Sequence, residues 1–112
     1  MAKKIYSEGS FGAYFVDLLK KHDYSQARFV TELGISKTYL VEVLNGSLKP
    51  PTPEMQEKIA TLLKLSEEER YILYDKCAEK RNELPKDIFE FFKENEDEIK
   101  KLREKIALQK TV

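Results

Sequence analysis

The chain has 112 residues, of which 41% are hydrophobic and 36% are charged. That length suits one domain with a modest core and leaves little for a second. Basic and acidic residues number 20 each, so the net charge is zero. The overall charge therefore says nothing about whether the chain binds a nucleic acid. One cysteine cannot form an internal disulfide, and no apolar run approaches the roughly 18 residues of a membrane span. We therefore expect a cytoplasmic protein with no membrane partner.

Apolar residues spaced three and four apart predict helices along the chain, and strand-like alternation is absent. The first helix is predicted over residues 11–21. Ser25 is a favourable N-cap for a second helix, and Gly34 is expected to end it because glycine tolerates left-handed backbone. Ser36 caps a third helix, which is expected to end at the next glycine, Gly46.

Capping residues and prolines also delimit the helices of the second half. Thr52 is followed by a proline, which is favoured at the first position of a helix. Ser66 and Glu69 have the spacing of a capping box and predict a fifth helix. Pro85 then opens a short helix that we place at residues 85–93. Asn95 is expected to cap a charged last helix.

The segment 25–46, SQARFVTELGISKTYLVEVLNG, carries the main functional signal. Two short helices joined by a glycine-containing turn have the form of a DNA-binding helix-turn-helix, whose second helix enters the major groove. At about 100° per residue, Leu40, Val43 and Leu44 share the buried side of the third helix. Lys37 lies in its first turn, where a side chain can reach a groove. The residues predicted near the exposed side are Thr38, Glu42 and Asn45, with Tyr39 and Val41 on the flanks.

This segment resembles the lambda-repressor-like, or XRE, family of helix-turn-helix regulators. The matching residues are Ser25-Gln26 at the start of the second helix, Leu33-Gly34-Ile35-Ser36 at the turn, and Tyr39-Leu40 and Asn45-Gly46 in the recognition helix. The resemblance covers roughly residues 9–75. It implies an all-α fold, with a five-helix DNA-binding domain at residues 9–80 and a C-terminal helical extension at residues 81–112.

The resemblance also implies which residues meet DNA. Ser25 and Gln26 would touch phosphates at a helix N-terminus, where free amides favour an anion. Lys37 could donate to guanine, Thr38 could meet a thymine methyl or a phosphate, and Glu42 could accept from cytosine. Glu42 could equally be a solvated glutamate. The complete predicted interface is Ser25, Gln26, Ser36, Lys37, Thr38, Tyr39, Glu42, Asn45, Ser47 and Lys49, the last three near phosphates.

Two positions depart from the family pattern. Val30 stands where the family usually has alanine, and we expect it to change how the second and third helices meet. Leu19 and Leu44 stand where the family often pairs an arginine with a glutamate. We expect an apolar contact there, a replacement that is often neutral or stabilising.

Little in the sequence indicates catalysis or a cofactor. One histidine and one cysteine make the usual zinc site very improbable. We expect His22 in a surface loop and Cys77 as a small buried apolar residue. No phosphate-binding glycine loop or nucleophile elbow is present. The chain is therefore expected not to be an enzyme and to need no cofactor.

The C-terminal residues are bulky and apolar at helical spacing within a charged segment. We predict a dimerisation arm, because two-fold operators require a two-fold protein. The residues assigned to it are Phe89, Phe92, Ile99, Leu102 and Ile106. A flap folded on its own domain and a solvent-exposed tail remain the alternatives.

Together these features predict a sequence-specific transcriptional regulator. The expected action is repression, by a homodimer that binds double-stranded DNA at a palindromic operator through residues 36–45. The alternative is a helix-turn-helix fold reused to bind a protein partner, as an inhibitor or antitoxin-like module. That alternative draws on the zero net charge, on the few basic residues near the third helix and on the apolar Val41 within it.

Overall fold

A computed structural model describes residues 6–110, and this part of the chain contains seven helices and no strand. The all-helical prediction is confirmed. The helices are α1 Phe11–Lys21, α2 Gln26–Leu33, α3 Lys37–Leu44, α4 Pro53–Leu62, α5 Glu67–Arg81, α6 Lys86–Glu94 and α7 Glu96–Lys110.

Local side-chain caps explain where the helices begin. Ser10, Ser25 and Ser36 each accept an amide proton from three residues ahead, at 3.1, 3.0 and 3.0 Å. The predicted capping box at α5 is confirmed, since Ser66 N donates to Glu69 Oε1 at 3.0 Å and Glu69 N donates to Ser66 Oγ at 3.2 Å. Each cap satisfies amides that a helix start would otherwise leave unpaired.

The buried apolar core draws on α1 to α5 and the segments between them. The Phe15 ring stacks on Phe11 with centroids 5.4 Å apart and meets Phe29 edge-on at the same distance, which joins α1 to α2. Leu19 and Leu44 are both buried in this core, in agreement with the expected apolar replacement. Such contacts stabilise through the apolar area they remove from water.

The backbones of α1 and α3 approach one another closely at Gly12. A Cβ atom built on Gly12 would lie 2.1 Å from the carbonyl oxygen of Leu44 and 3.0 Å from its carbonyl carbon. No larger residue fits between these two backbones unless the helices move. Gly12 therefore helps set the position of α3 on the core, and the sequence patterns did not single it out.

His22 is largely enclosed, contrary to the expectation of a surface loop residue. Its Nε2 lies 2.7 Å from Glu69 Oε2, and Lys21 Nζ lies 3.3 Å from the same oxygen. The side chains of His22 and Glu69 are only 19% and 15% exposed. The prediction failed because the two residues are 47 positions apart and meet only when α5 packs beside α1.

Glu69 should make stability depend on pH. The Ser66 amide, followed by His22, lowers the Glu69 pKa from 4.5 to about 2. A carboxylate whose pKa is depressed on folding stabilises above its unfolded-state pKa, and that contribution is lost as the pH falls through the folded-state value. We expect Glu69→Gln to lower the free energy of unfolding at pH 7 by about 1 kcal/mol. Urea unfolding between pH 7 and pH 2 measures this change.

The matched control is Glu68→Gln, because Glu68 is an exposed carboxylate in the same first turn. It should leave the pH dependence of stability close to that of the original chain. The Glu69 variant should lack the part of the decline between about pH 4.5 and 2 that Glu69 contributes. Coincident pH profiles for the original chain and the Glu69 variant would contradict this assignment.

The two C-terminal helices bury little of their own surface. Lys86 is the only buried residue of α6, and no residue of α7 is buried. Burial lowers the Lys86 pKa, but its hydrogen bonds to Glu90 and Glu57 outweigh burial, so the pKa is raised. The Lys86 Nζ to Glu57 Oε2 distance is 3.3 Å, which ties α6 to α4. The last two residues of the predicted extension at 81–112 lie outside the described residues.

Asn95 was predicted to cap α7, but its side-chain hydrogen bond is to the end of α6. Its side-chain amide donates to the carbonyl oxygen of Phe91 at 2.8 Å, so it satisfies a backbone acceptor at the end of α6.

None of the described helices is long and apolar enough to cross a membrane.

Candidate nucleic-acid interface

The turn between α2 and α3 is held by backbone hydrogen bonds and a left-handed glycine. Gly34 has φ +80°, and the amides of Gly34 and Ile35 both donate to Val30 O, at 2.9 and 3.1 Å. Leu33 and Ile35, on either side of the glycine, are half-buried against the core. This arrangement fixes α3 relative to α2 and leaves the outer side of α3 exposed.

The outer side of α3 presents Lys37, Thr38, Val41 and Asn45, all exposed. Val41 lies about 60° from Thr38 and about 40° from Asn45 around the helix axis. It is 36% exposed, which is compatible with the predicted flank and leaves it accessible from this outer side. An apolar residue at this position can contact the methyl group of thymine.

Two other predicted residues of α3 are less accessible. Tyr39 is half-buried against the core, and its pKa is raised mainly by burial. Glu42 is also half-buried, and its carboxylate has no hydrogen-bond partner among residues 6–110. Tyr39 therefore helps to seat α3 on the core, whereas Glu42 keeps its acceptor oxygens available at the edge of the outer side.

Ser25 and Ser36 cap α2 and α3 and are both exposed. Each hydroxyl oxygen accepts an amide proton from its own helix. A serine hydroxyl still has one proton to donate while it accepts. The caps therefore leave a donor directed to solvent at both helix starts, and Gln26 is exposed beside the first of them. The first amides of α2 add the partial positive charge of a helix N-terminus.

The loop after α3 is braced from both sides. Asn45 Oδ1 accepts from the Ser47 amide at 2.9 Å, which leaves the Asn45 side-chain NH2 free to donate. Arg81, at the end of α5, donates from Nη1 to Pro50 O at 3.0 Å. Lys49 is exposed in this braced loop. No sequence signal pointed to Arg81, because its partner is 31 residues away.

A cluster on the solvent side of α2 was also missed. The Arg28 guanidinium binds Glu32 and lies 4.1 Å from the centre of the Tyr24 ring. The hydrogen bond to Glu32 is the main reason that the Arg28 pKa is raised. The Arg28 guanidinium is therefore already paired within its own helix. Lys37 and Lys49 have no ion-pair partner within the described part of the chain.

Comparison with known proteins identifies this unit. Residues 17–70, which run from α1 into α5, match a protein-family model described as "Helix-turn-helix". The match supports a helix-turn-helix of the lambda-repressor-like kind over these residues. The predicted resemblance is thus confirmed, and the helix-turn-helix is that of a DNA-binding regulator of XRE type. No curated protein and no solved structure gave a significant match to the chain.

The helix-turn-helix domain brings most of the predicted interface to its α2–α3 side. The N-caps, the outer side of α3 and the following loop are contiguous in the chain and exposed. Elsewhere, Cys77 is fully buried and burial raises its pKa to about 12, while His22 is bound to Glu69. Within residues 6–110, no group of three or more histidine, cysteine or acidic residues is placed to hold a metal ion.

Proposed function

We propose that the protein is a sequence-specific transcriptional regulator that binds double-stranded DNA through α3. The observation that carries this proposal is the exposed outer side of α3 in a helix-turn-helix domain, where the side chains of Lys37, Thr38 and Val41 have no hydrogen-bond or ion-pair partner among residues 6–110. In this proposal, Ser25, Gln26 and Lys49 contact phosphates and set the register, and the outer side of α3 reads bases. Phosphate contacts position a protein on DNA, whereas base contacts give specificity.

We further propose that α1 to α5 form the DNA-binding domain, α6 and α7 its extension, and that the protein acts as a dimeric repressor at a palindromic operator. Lys37 and Lys49 supply little positive charge, so one copy should bind weakly and two copies should bind cooperatively. The extension exposes Phe89, Leu102 and Ile106, which supports its role as the dimerisation arm, whereas Phe92 and Ile99 are already half-buried within the chain. We also propose a cytoplasmic location, since the single cysteine is unpaired.

The test is fluorescence anisotropy with DNA from upstream of the protein's own gene, compared with scrambled DNA at two salt concentrations. Tighter binding to the first DNA, weakened steeply by salt, is expected because phosphate contacts release counterions. Equal and weak binding to both DNAs would end the proposal and favour the protein-binding alternative. The exposed apolar side chains of α6 support that alternative.

The role of Val41 gives a sharper prediction. The preferred operator is first selected from random DNA, and each thymine is then replaced singly by deoxyuridine, which removes only the methyl group. Replacing one particular thymine in each half-site should lower the affinity of the protein for the operator about fourfold, because the contact between Val41 and one methyl group is lost.

The matched variant is Val41→Ala, which should bind less tightly and should no longer distinguish that thymine from deoxyuridine. If no replacement of thymine by deoxyuridine changes the affinity of the original chain, or if the replacement lowers the affinity of both proteins equally, Val41 does not read a methyl group. DNA binding itself would still stand on the anisotropy result.

A further inference from the structure

The C-terminal helices expose an apolar surface that the described part of the chain leaves uncovered. On α6, Phe89 and Phe91 are 54% and 47% exposed. On α7, Leu102 and Ile106 are 42% and 43% exposed. Exposed apolar patches of this kind mark interaction surfaces on soluble proteins. The family match ends at residue 70, so it assigns nothing to this surface.

The apolar residues of α7 have the spacing of a coiled-coil seam. Ile99 and Ile106 are seven residues apart and occupy equivalent positions, with Leu102 between them on the same stripe. In a seven-residue repeat these are the core positions. The flanking positions, which form ion pairs between helices in a coiled coil, are occupied by Glu96, Glu98, Arg103, Lys105 and Lys110.

Charge is unevenly distributed along α7. Its first turn carries Glu96, Asp97 and Glu98. Residues 100–110 carry five basic side chains and one acidic side chain. Within this helix, the only ion pair is that of Lys101 with Glu98, at 3.3 Å. A helix that is acidic at one end and basic at the other is complementary to a reversed copy of itself.

We propose that α7 pairs antiparallel with α7 of a second copy of this chain. In the register that best matches the charges, Ile99 packs on Leu102 of the second copy. Glu96 then lies beside Arg103 of the second copy, and Glu98 beside its Lys105. Two-fold symmetry repeats each of these pairs, which gives four contacts between opposite charges. Flanking charges of this kind select partner and orientation in coiled coils.

A parallel pair would lack this advantage. In that orientation, Glu98 and Lys105 each face the residue five positions further along the partner helix. Glu98 would face Arg103 favourably, but Lys105 would face Lys110 and repel it. The favourable and unfavourable contacts are equal in number, so charge provides no net preference for the parallel arrangement.

The α6 helix completes the contact. Two heptads are too short to hold a coiled coil together alone. In the antiparallel register, Ile106 of each copy reaches Asn95 of the other, at the junction between α6 and α7. Phe91 and Phe92 meet edge-on there, with ring centroids 5.7 Å apart. The end of one α7 would therefore cover the exposed aromatic side of the other copy's α6.

This inference rests on the homodimer in the proposed function, but not on DNA binding. The first test is sedimentation equilibrium of the full chain and of two double variants, E96K/E98K and R103E/K105E. Each variant alone should raise the dimer dissociation constant at least about tenfold, because four attractions become repulsions. An equimolar mixture should restore association, because all four contacts are again between opposite charges.

The control is D97K/E104K, which makes the same charge change as E96K/E98K on the side of α7 away from the seam. It should leave the dimer dissociation constant unchanged. No residue of α7 is buried, so at dilutions where every chain is monomeric these variants should unfold at the temperature of the original chain. A control that weakens the dimer as much as E96K/E98K would overturn the assigned register.

Orientation is measured with spin labels at Lys101→Cys or Leu108→Cys, two equivalent positions outside the seam. The buried thiol of Cys77 should stay unlabelled. At 1.5 Å of rise per residue, the antiparallel pair separates the two labels at position 108 by about 22 Å along the helix axis and leaves the two labels at position 101 nearly level. A parallel pair in register would leave the labels level at both positions. Equal separations at both positions would overturn the antiparallel pairing but leave a dimeric regulator. A chain that stays monomeric at high concentration would contradict the proposed dimer. The anisotropy experiment tests DNA binding separately.

Discussion

Gly12→Ala should destabilise the fold by about 3 kcal/mol, the upper part of the usual range for forcing an extra carbon into a packed site. The new Cβ would meet the Leu44 carbonyl oxygen at 2.1 Å. That oxygen belongs to the backbone, so no rotamer change can relieve the contact. Alanine is the better helix former, and intrinsic propensity alone would therefore predict a gain. Urea unfolding monitored by circular dichroism measures the outcome.

Gly34→Ala provides the comparison, because Gly34 has φ +80° and a Cβ there meets nothing within 4 Å. Its cost is only the left-handed backbone, about 1 to 2 kcal/mol. We expect the Gly12 variant to be clearly the less stable of the two. If the order is reversed, the close approach of α1 and α3 does not limit the fold. A partly folded Gly12 variant should also lose DNA affinity, since α3 is seated on α1 at this contact.

Lys37→Ala should weaken binding to the selected operator by about 5- to 150-fold, which corresponds to about 1 to 3 kcal/mol for one base contact. Lys37 is exposed in the first turn of α3 and has no ion-pair partner in the described part of the chain. Its removal should therefore leave thermal stability unchanged. Thr38→Ala should act in the same direction. Anisotropy titrations with operator and with scrambled DNA measure the two affinities.

Lys49→Ala and Lys93→Ala are the matched controls. Lys49 should behave as a phosphate contact, so its removal should weaken binding to all sequences alike and lower the salt dependence by about one ion. Lys93 is exposed near the end of α6 and should have no effect. If Lys37→Ala reduces operator and scrambled binding equally, Lys37 is a phosphate contact and not a reader of bases.

Much of the local structure was predictable because its causes are local. A serine that accepts an amide proton three residues ahead, or a glycine that adopts positive φ, acts within one turn of the chain. The ends of α2 and α3 at Ser25, Gly34 and Ser36 therefore followed from residue type and spacing. The family resemblance followed for the same reason, since its motif lies within one short segment.

The misplacements concern contacts between residues far apart in sequence. His22 looked like a loop residue until α5 brought Glu69 beside it. Helical angle placed Glu42 near the exposed side of α3, yet Glu42 is half-buried in the folded chain. Exposure of a single side chain depends on how the whole helix is rotated, and three buried neighbours determine that rotation more than the residue itself does.

The sequence alone determined that this protein is all-helical, where its helices begin, and that it contains a helix-turn-helix of the lambda-repressor-like kind. Only the tertiary structure decided that Gly12 lets α1 and α3 touch, that Arg81 braces the loop carrying Lys49, and that α7 buries none of its side chains. The physical reason is the separation along the chain of the residues that interact. Caps and turns act over three or four residues, whereas backbone approach, long-range ion pairs and burial depend on how finished helices are arranged in space.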